Sequence, residues 1–350
     1  MKRVVHLIPS DGIGGVEIAA RSLPTGDHGP LRFERHYIVR RPDSAMLDGE
    51  YHGPETSLNN PLAYLRSIRQ FLHNPPNLLV ASLWRSALVL IFIKILRPRQ
   101  RVVIFLHSSH YFHWIDGVVA KFAMLLADEI WADSTATLGR RVMRHLQAKG
   151  RVVSFLLEKQ TLPMQSDPKP AFIFWGRLNI QKGLDRALGI FAGILRHRPD
   201  AHFTIIGPEG GVGKELKALT TKLGIGANVS FSGAMSHRDV INRSSQASFY
   251  LQTSRDEGMA MSVVEAMQAG LVPIVTPVGE IFHYCRDGEN AVLVHDDQDV
   301  IEAVVALMSD SLRYRSMSSA AAEYWQDRPL YRDDFLAAAE KLVWEKSVGN

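Results

Sequence analysis

The sequence predicts an α/β protein of two domains, each built on a parallel sheet that helices cover on both faces. Strand and helix signals alternate from Val4 to about Ser134, stop in the proline-interrupted segment 155–170, and restart at Phe172. Strand followed by helix, repeated, is typical of a parallel sheet. A chain of 350 residues is also long enough for two hydrophobic cores.

Apolar runs, glycines and polar turns delimit the elements of the first half. Strands are predicted over residues 4–8, 33–39, 78–82, 102–106 and from Glu129, and helices over residues 16–23, 62–72, 86–96 and 137–147. Residues 78–96 are a candidate for a membrane span, but Arg85 and Lys94 interrupt them. A strand and a buried helix are therefore expected there, and no transmembrane segment.

The second half repeats the pattern. Strands are predicted over residues 172–175, 201–206, 229–232, 249–252 and 272–275, and helices over residues 187–197 and 299–308. Two helices interrupted at Pro329 form the tail, the second over residues 331–344. These elements place the N-terminal domain at residues 1–160, the C-terminal domain at 161–325 and a terminal helix at 326–350.

Charge is unevenly distributed along the chain. Residues 1–155 hold 20 Lys and Arg against 12 Asp and Glu, a balance of +8, whereas the remainder holds 20 against 24, a balance of −4. A basic first half suits an anionic membrane surface or an anionic acceptor; the alternative is a solvated surface with no partner. Nucleic acid is not expected, because the basic stretches carry no interleaved aromatic residues. The single cysteine, Cys285, predicts a reducing, cytoplasmic compartment.

Two glutamates flank the start of a predicted apolar helix. Glu257 lies in a glycine-containing loop, Glu265 lies within the helix, and Gly270 ends it as a left-handed cap. Eight helical residues would separate the two carboxylates by about 12 Å of rise. Paired glycosidase carboxyls need roughly 5 to 9.5 Å, so acid–base hydrolysis of a glycoside is not expected.

Carboxylates on either side of a helix start suit a sugar nucleotide. Each carboxylate can accept hydrogen bonds from hydroxyls, while the helix N-terminus receives an anion between them. The alternative interpretation is that Glu257 is a solvated loop residue and Glu265 lies on an exposed helix face.

Two further loops carry phosphate-binding chemistry. The glycine-rich turn 11–17 joins a strand to a helix, which lets backbone N–H groups approach an anion, although Glu17 occupies the third glycine position of the dehydrogenase fingerprint. Arg177 and Lys182 lie five residues apart in a glycine-flanked loop after a strand, where they can clamp a diphosphate. An ordinary surface loop with incidental cations is the alternative.

Two other patterns are rejected. Segment 207–214 imitates a P-loop, but Pro208 replaces its first glycine and Glu215 its magnesium-binding hydroxyl, so ATP binding is not expected. A metal site could be formed by three neighbouring histidines, His107, His110 and His113. However, their spacing on a helix would direct the three rings apart. No metal site is predicted.

Two strings carry a family resemblance. E-G-M-A-M-S-V-V-E-A-M-Q-A-G, residues 257–270, resembles the E-x7-E signature of retaining glycosyltransferases of family 4, and G-R-L-N-I-Q-K-G, residues 176–183, resembles the diphosphate-binding loop of that family. The resemblance implies the GT-B fold: two Rossmann-like, doubly wound parallel-sheet domains facing a central cleft. It also implies an acceptor-side N-terminal domain, a donor-binding C-terminal domain and a terminal helix that crosses back to the first.

The resemblance assigns roles to named residues. Glu257 and His107 would contact the donor sugar, Glu265 the ribose, and Arg177 and Lys182 the diphosphate; of these, Glu257, His107, Arg177 and Lys182 are the catalytic candidates. The other residues implied in donor binding are Gly14, Gly15, Gly258, Met259, Ala260 and Met261, with Met235 and Ser236 near the base. Family members usually have Gly-Phe-Gly or Gly-Phe-Pro where this chain has Gly258-Met259-Ala260, which leaves the sugar open.

The function expected from the resemblance is retaining transfer of a sugar from a UDP- or GDP-sugar. The acceptor would be a glycan, a glycolipid or a lipid-linked molecule in surface polysaccharide biosynthesis, with no cofactor or metal required and with possible contact between the basic domain and an anionic membrane. Two alternatives remain: a sugar-nucleotide epimerase of the same fold, and an inactive sugar-nucleotide-binding protein.

Overall fold

The computed structural model describes residues 1–12, 14–42, 49–111, 113–160 and 167–345. The chain divides into two compact units: unit 1 comprises Met1–Leu157 and Pro329–Asn350, and unit 2 comprises Glu158–Arg328. Residues 161–166 of the predicted linker lie outside the described residues.

Unit 1 contains, within the described ranges, an eight-stranded sheet in the order β2-β3-β1-β5-β6-β7-β8, with β4 paired to β3. Neighbouring strands are parallel except β2, which runs antiparallel to β3. The strands are β1 (Lys2–Ser10), β2 (Gly26–His28), β3 (Leu31–Val39), β4 (Glu50–His52), β5 (Leu78–Ser82), β6 (Val102–Leu106), β7 (Glu129–Ala132) and β8 (Gly150–Val152).

The helices between these strands cover both faces of the sheet. They are α1 (Gly15–Ser22), α2 (Pro61–His73), α3 (Leu83–Leu96), α4 (Trp114–Leu126) and α5 (Thr135–Arg141). Val5 and Leu7 of β1 pack into a core with α2, α3 and α4. His6, between them, points to the other face, since side chains alternate along a strand.

Unit 2, over its described residues 158–160 and 167–328, contains a six-stranded parallel sheet in the order β11-β10-β9-β12-β13-β14. Because the order reverses between β9 and β12, right-handed crossovers put helices on opposite faces of the sheet. The strands are β9 (Ala171–Trp175), β10 (His202–Ile206), β11 (Val229–Phe231), β12 (Phe249–Gln252), β13 (Val272–Val275) and β14 (Val292–Leu293). The helices are α6 (Leu184–His197), α7 (Gly213–Lys222), α8 (His237–Ser244), α9 (Met261–Gln268), α10 (Ile281–Tyr284), α11 (Asp297–Leu307) and α12 (Ser311–Glu323).

The last helix, α13 (Tyr331–Trp344), belongs to unit 1. Phe335 packs edge-on against Phe33 and Trp131 and lies 5.3 Å, centroid to centroid, from the ring of His6. The helix thus covers the face of the first sheet opposite α2, α3 and α4. Its predicted range, 331–344, is confirmed to the residue.

Strand predictions succeeded where a short apolar run is buried on both faces. Leu78–Ser82 and Val102–Leu106 match the predicted bounds. The prediction of a buried helix after Ser82 is partly wrong, because Phe92, Ile95 and Leu96 of α3 are exposed. Within the described ranges, no helix combines the length and the apolar character that crossing a membrane requires.

Candidate active site

Glu257 lies in a buried hydrogen-bond network just beyond the carboxyl end of β12. Its Oε1 accepts hydrogen bonds from Lys182 Nζ at 2.8 Å, from Gln252 Nε2 at 2.8 Å and from Ser254 Oγ at 2.7 Å. Glu257 is only 5% exposed, so its interpretation as a solvated loop residue is wrong. A buried carboxylate requires donors and a cation of this kind, and here they fix its position.

The network continues through Gln252 into the neighbouring elements. The amide Oε1 of Gln252 accepts hydrogen bonds from Tyr250 Oη at 2.6 Å and from Ser262 Oγ, in the first turn of α9, at 3.1 Å. Burial raises the pKa of Tyr250 well above its ordinary value, which keeps the phenol protonated and able to donate. Gln252 therefore ties the Glu257 loop to the start of α9.

The loop after β9 presents the two predicted cations differently. Lys182, in a single turn of 3₁₀ helix over Ile180–Lys182, is partly buried against Glu257. Arg177 is exposed, and within the described residues its guanidinium has no hydrogen bond or ion pair. One cation is thus paired with a carboxylate and the other is available to an anion.

Glycines hold these loops in contact. A Cβ on Gly183, which has φ +61°, would lie 1.9 Å from the carbonyl oxygen of Thr253, and a Cβ on Gly279, with φ +59°, would lie 2.1 Å from that of Glu257. Neither position accommodates another residue without moving the backbone. The loops carrying Lys182 and Glu257 are therefore held in place from both sides.

The start of α9 has no side-chain cap. Ala260 precedes the helix in a left-handed conformation, with φ 56°, and among the described residues no side-chain cap accepts a hydrogen bond from the first turn. Helix N-terminal N–H groups in this state attract anions. Met259 and Met261 flank Ala260, and the Met259 carbonyl accepts a hydrogen bond from Tyr284 Oη at 2.9 Å. Only residues 261–268 of the E-x7-E segment are helical, so the rise of a continuous helix does not measure the separation of its carboxylates.

Glu265 lies on α9 with two nitrogen partners. Trp175 Nε1 donates to its Oε2 at 2.8 Å, and His237 Nε2 lies 3.3 Å from its Oε1. The contact with Glu265, and beyond it the charge of Glu158, raises the pKa of His237. Glu265 is therefore partly buried and held in one orientation, rather than freely solvated.

The segment proposed to meet the base is exposed. Met235 and Ser236 precede α8, and Ser236 Oγ accepts the backbone N–H of Asp239 as the helix N-cap. Ser236 thus has a structural role that the sequence did not reveal.

In unit 1 the glycine turn begins α1. Gly14 is the N-cap of the helix, and a Cβ added to Gly15 would have no atom within 4 Å. Ile13 lies outside the described residues. The space beside Gly15 is compatible with a ligand approaching the backbone.

His107 is joined to a second histidine through Ser82. Ser82 Oγ lies 2.8 Å from His107 Nε2 and 2.7 Å from Nε2 of the fully buried His6. Nδ1 of His107 is buried and has no hydrogen-bond partner within the described residues. The His107 ring also borders a small cavity lined by Val16 and Arg141.

Both imidazoles are held neutral. Burial lowers the pKa of His107 to about 3, with a smaller effect from the charge of Arg141. Burial also lowers the pKa of His6 well below its ordinary value, with contributions from His107 and Arg35. Protonating either ring would place a charge among apolar neighbours and arginines.

This burial predicts a pH dependence of stability. Since an unfolded histidine binds its proton near pH 6.5, the stability that neutral His107 contributes is complete above that pH and is lost as the pH falls towards 3. Thermal unfolding of the protein and of His107→Gln between pH 7 and about pH 5 checks this. The variant is expected to lose less stability on acidification than the parent, whereas exposed His110→Gln should behave as the parent. Equal losses for all three proteins would contradict the assignment.

The three histidines of the loop do not converge. His110 and His113 are exposed, and His113 Nδ1 accepts the N–H of Asp116 at the start of α4. Within the described residues, no cluster of three or more His, Cys, Asp or Glu is arranged to hold a metal. The sequence also contains an Asp-x-Asp triplet, Asp297–Asp299, whose carboxylates are of the type that binds divalent cations. It lies in the first turn of α11, where Asp297 pairs with Arg186 at 2.7 Å.

In the segment that resembles a P-loop, residues 207–214, a side chain of the same segment accepts the backbone N–H groups. Glu209 Oε1 accepts the N–H groups of Gly210, Gly211 and Gly213 at 2.7 to 3.0 Å. These hydrogen bonds lower the pKa of Glu209. Its carboxylate occupies the position that a phosphate would take.

The structure brings together part of the predicted set. Glu257 and Lys182 are in contact, and the Arg177 loop and Glu265 belong to the same unit, unit 2. Gly14, Gly15 and His107 belong to unit 1.

The sequence did not predict the roles of five further residues: Gln252, Ser254, Trp175, His237 and Ser82. One signal was available: Tyr250 and Gln252 are two apart on a strand and therefore share a face.

Comparison with known sequences assigns a family pattern to unit 2. Residues 160–324 match the family model described as glycosyl transferases group 1. GDP-mannose:cellobiosyl-diphosphopolyprenol alpha-mannosyltransferase of Xanthomonas oryzae is 26% identical over 160 residues, 44% of this chain and 42% of that protein. Alpha-D-kanosaminyltransferase of Streptomyces kanamyceticus is 25% identical over 158 residues, 44% of this chain and 41% of that protein. The matched stretch thus spans less than half the length of these relatives.

Solved structures match the whole chain. HepE of Anabaena, in complex with UDP, aligns with a TM-score of 0.79 at 17% identity, covering 98% of this chain and 99% of its own. Sucrose-phosphate synthase of Thermosynechococcus elongatus aligns with a TM-score of 0.78 at 16% identity, covering 98% of each chain. The predicted fold class is confirmed: the chain has the GT-B fold, and its residues 160–324 carry the sequence pattern of glycosyl transferases group 1.

Proposed function

We propose that the protein is a retaining glycosyltransferase that moves a sugar from a UDP- or GDP-sugar to a glycan, glycolipid or lipid-linked acceptor, in the biosynthesis of a surface polysaccharide. The observation that carries the proposal is the Glu257–Lys182 pair, inside the segment that matches the family model. Arg177 lies in the same loop as Lys182, and its guanidinium has no hydrogen bond or ion pair among the described residues.

The donor diphosphate is proposed to bind Arg177 and Lys182 and to lie before the uncapped start of α9. The two side chains supply cationic hydrogen-bond donors, and the helix start adds oriented N–H groups. The loop Gly258–Met261 is proposed to contact the sugar, Glu265 the ribose hydroxyls, and Met235 and Ser236 the base. Trp175 and His237 fix the orientation of the Glu265 carboxylate through their contacts with its two oxygens.

The chemical step is the cleavage of the bond between the anomeric carbon and the diphosphate oxygen. Electrons of that bond leave with the nucleoside diphosphate, and positive charge grows on the sugar ring. Arg177, Lys182 and the α9 N-terminus stabilise the charge on the departing phosphate. Glu257, fixed by three hydrogen bonds, orients the sugar. In a front-side displacement, the acceptor oxygen bonds to the anomeric carbon on the face that the phosphate leaves, and the hydroxyl proton passes to the departing phosphate oxygen. The alternative is a double displacement through a covalent sugar–enzyme intermediate. We propose that these cations make a metal unnecessary.

In unit 1, His107 is proposed to contact the donor sugar through Nδ1, which has no hydrogen-bond partner among the residues that the structure describes. Because the ring is neutral, that nitrogen offers one hydrogen bond to a hydroxyl without adding charge. Ser82 fixes the other nitrogen, so the ring keeps one orientation.

Incubation of the purified protein with radiolabelled UDP- and GDP-sugars tests the proposal. Slow hydrolysis of one donor to free sugar and nucleoside diphosphate supports a transferase. Epimerised donor would support the epimerase of the same fold, and binding without turnover the inactive binding protein. Failure of every donor to bind would contradict all three.

Gly15→Ala tests the glycine turn of unit 1. Among the described residues outside its own stretch of helix backbone and its chain neighbours, no atom lies within 4 Å of the added Cβ. Alanine also favours a helix by about 1 kcal/mol over glycine. Thermal stability is therefore expected to be unchanged or higher. Affinity for the nucleotide sugar is expected to fall roughly tenfold, since a methyl group keeps an anion from the backbone. Unchanged donor affinity, measured by calorimetry, would remove Gly15 from the binding site.

A further inference from the structure

Unit 1 carries a second candidate functional surface on the outer side of α2, α3 and α4. The inner sides of these helices share one core with the first sheet, and α3 packs against both α2 and α4. Their outer sides therefore form one continuous surface, which we call the three-helix face. It consists of the exposed side chains of Pro61–His73, Leu83–Leu96 and Trp114–Leu126.

The three-helix face is unusually apolar for a surface exposed to water. Its exposed large apolar residues are Leu62, Leu65, Phe92, Ile95, Leu96, Trp114, Ile115, Val118, Phe122 and Leu125. Trp114, Val118, Phe122 and Leu125 recur at helical spacing, so they form one stripe along α4. Trp114 is 77% exposed and Phe122 58%. Contiguous apolar patches of this kind mark interaction sites.

A groove between α2 and α3 deepens this surface. It has a volume of about 550 Å³. Its apolar lining includes Tyr64, Leu65, Ile68, Leu88, Phe92 and Leu96.

The charges on the three-helix face are almost all positive. The three helices carry Arg66, Arg69, Arg85, Lys94 and Lys121, and their one acidic residue, Asp116, is buried. Arg66, Arg69 and Lys121 are exposed beside the apolar side chains. Apolar residues flanked by Lys and Arg are typical of segments that lie on anionic membranes.

We propose that the three-helix face docks unit 1 onto a membrane surface rich in anionic lipid, with the apolar side chains among the acyl chains and the arginines at the headgroups. A second copy of the chain suits this face less well, because a two-fold interface would bring like arginines together without carboxylate partners. The inference does not depend on sugar transfer, although a lipid-linked acceptor would be reached from such a surface.

Flotation with vesicles tests the proposal. The protein, without nucleotide sugar, is mixed with vesicles of phosphatidylcholine alone or of phosphatidylcholine with phosphatidylglycerol. Binding is expected to the anionic vesicles and to weaken as salt is raised. The double variant Phe92→Glu/Phe122→Glu is expected to bind roughly tenfold or more weakly. Arg66→Gln/Arg69→Gln is expected to lose the preference for anionic lipid.

Leu312→Glu is the matched control, because Leu312 is 74% exposed but lies on α12 of unit 2. Three results would overturn the proposal: no binding by the parent protein, an equal loss in Leu312→Glu, or a dimer that Phe92→Glu/Phe122→Glu converts to monomer without any vesicle binding. Because all these side chains are exposed, the variants are expected to fold, which circular dichroism checks. Calorimetry with soluble donors on the same preparations tests the proposed enzyme activity separately.

Discussion

Glu257→Gln is expected to lower the rate of sugar transfer on the order of 100-fold, with little change in donor affinity. Glu265→Gln is expected to do the opposite: it should weaken donor binding roughly tenfold or more, with less effect on the rate of transfer. The reason lies in their neighbours. Glu257 is fixed beside the loop proposed to hold the reacting sugar, whereas Glu265 lies in the helix proposed to meet the ribose.

Glutamine is the appropriate replacement at both positions. Alanine at 257 would leave Lys182, Gln252 and Ser254 without their shared acceptor, and alanine at 265 would leave the indole N–H of Trp175 unpaired. A buried donor without a partner costs about 1 to 3 kcal/mol, so an effect on folding would obscure one on catalysis. Steady-state kinetics and calorimetry measure the two constants separately. Comparable losses in both constants for both variants would contradict this division of roles.

Lys182→Met is expected to abolish transfer and to destabilise unit 2 by about 3 kcal/mol. The variant removes the hydrogen bond and the positive charge that Lys182 supplies to the buried carboxylate of Glu257, while Gln252 and Ser254 still donate to its Oε1. The double variant Lys182→Met/Glu257→Gln removes that charge and is expected to regain most of the lost free energy of unfolding, because Gln252 and Ser254 can still donate to the amide oxygen. Transfer should not return, since both proposed roles are missing.

Urea unfolding measured for the parent, both single variants and the double variant gives the coupling energy of the pair. Arg186→Met is the control, because its partner Asp297 is exposed and an exposed ion pair contributes little. A double variant no more stable than Lys182→Met would show that the Glu257 carboxylate does not need this cation.

The sequence predicted the sheets better than the surface helices. Strands such as Val102–Leu106 are short apolar runs, and burial on both faces of the sheet gives them an uninterrupted apolar composition. Helix α4 was not predicted, because apolar residues occur on both its inner and outer sides and obscure the helical period. The short edge strands β2 and β4 were also missed, since three residues carry too little pattern.

The charged candidates were visible in the sequence, but their partners were not. Glu257 and Lys182 lie 75 residues apart in sequence, and their contact depends on how β9 and β12 pair within the sheet. The links from Gln252 to Ser262 and from Ser82 to two histidines are likewise set by tertiary packing. Local sequence patterns indicate chemistry, whereas the hydrogen-bond network that positions it arises from strand order.

Calorimetric titration with nucleoside diphosphates and monophosphates, UDP against UMP and GDP against GMP, tests the central claim most directly. If Arg177 and Lys182 clamp a diphosphate, one diphosphate should bind roughly tenfold or more tightly than its monophosphate. Because the exposed Arg177 side chain has no hydrogen bond or ion pair in the described part of the chain, Arg177→Gln should lose most of that preference without losing stability. Arg196→Gln, on the exposed side of α6, should retain it. Equal affinity for both nucleotides, or a preference that survives Arg177→Gln, would show that this loop does not bind the donor diphosphate.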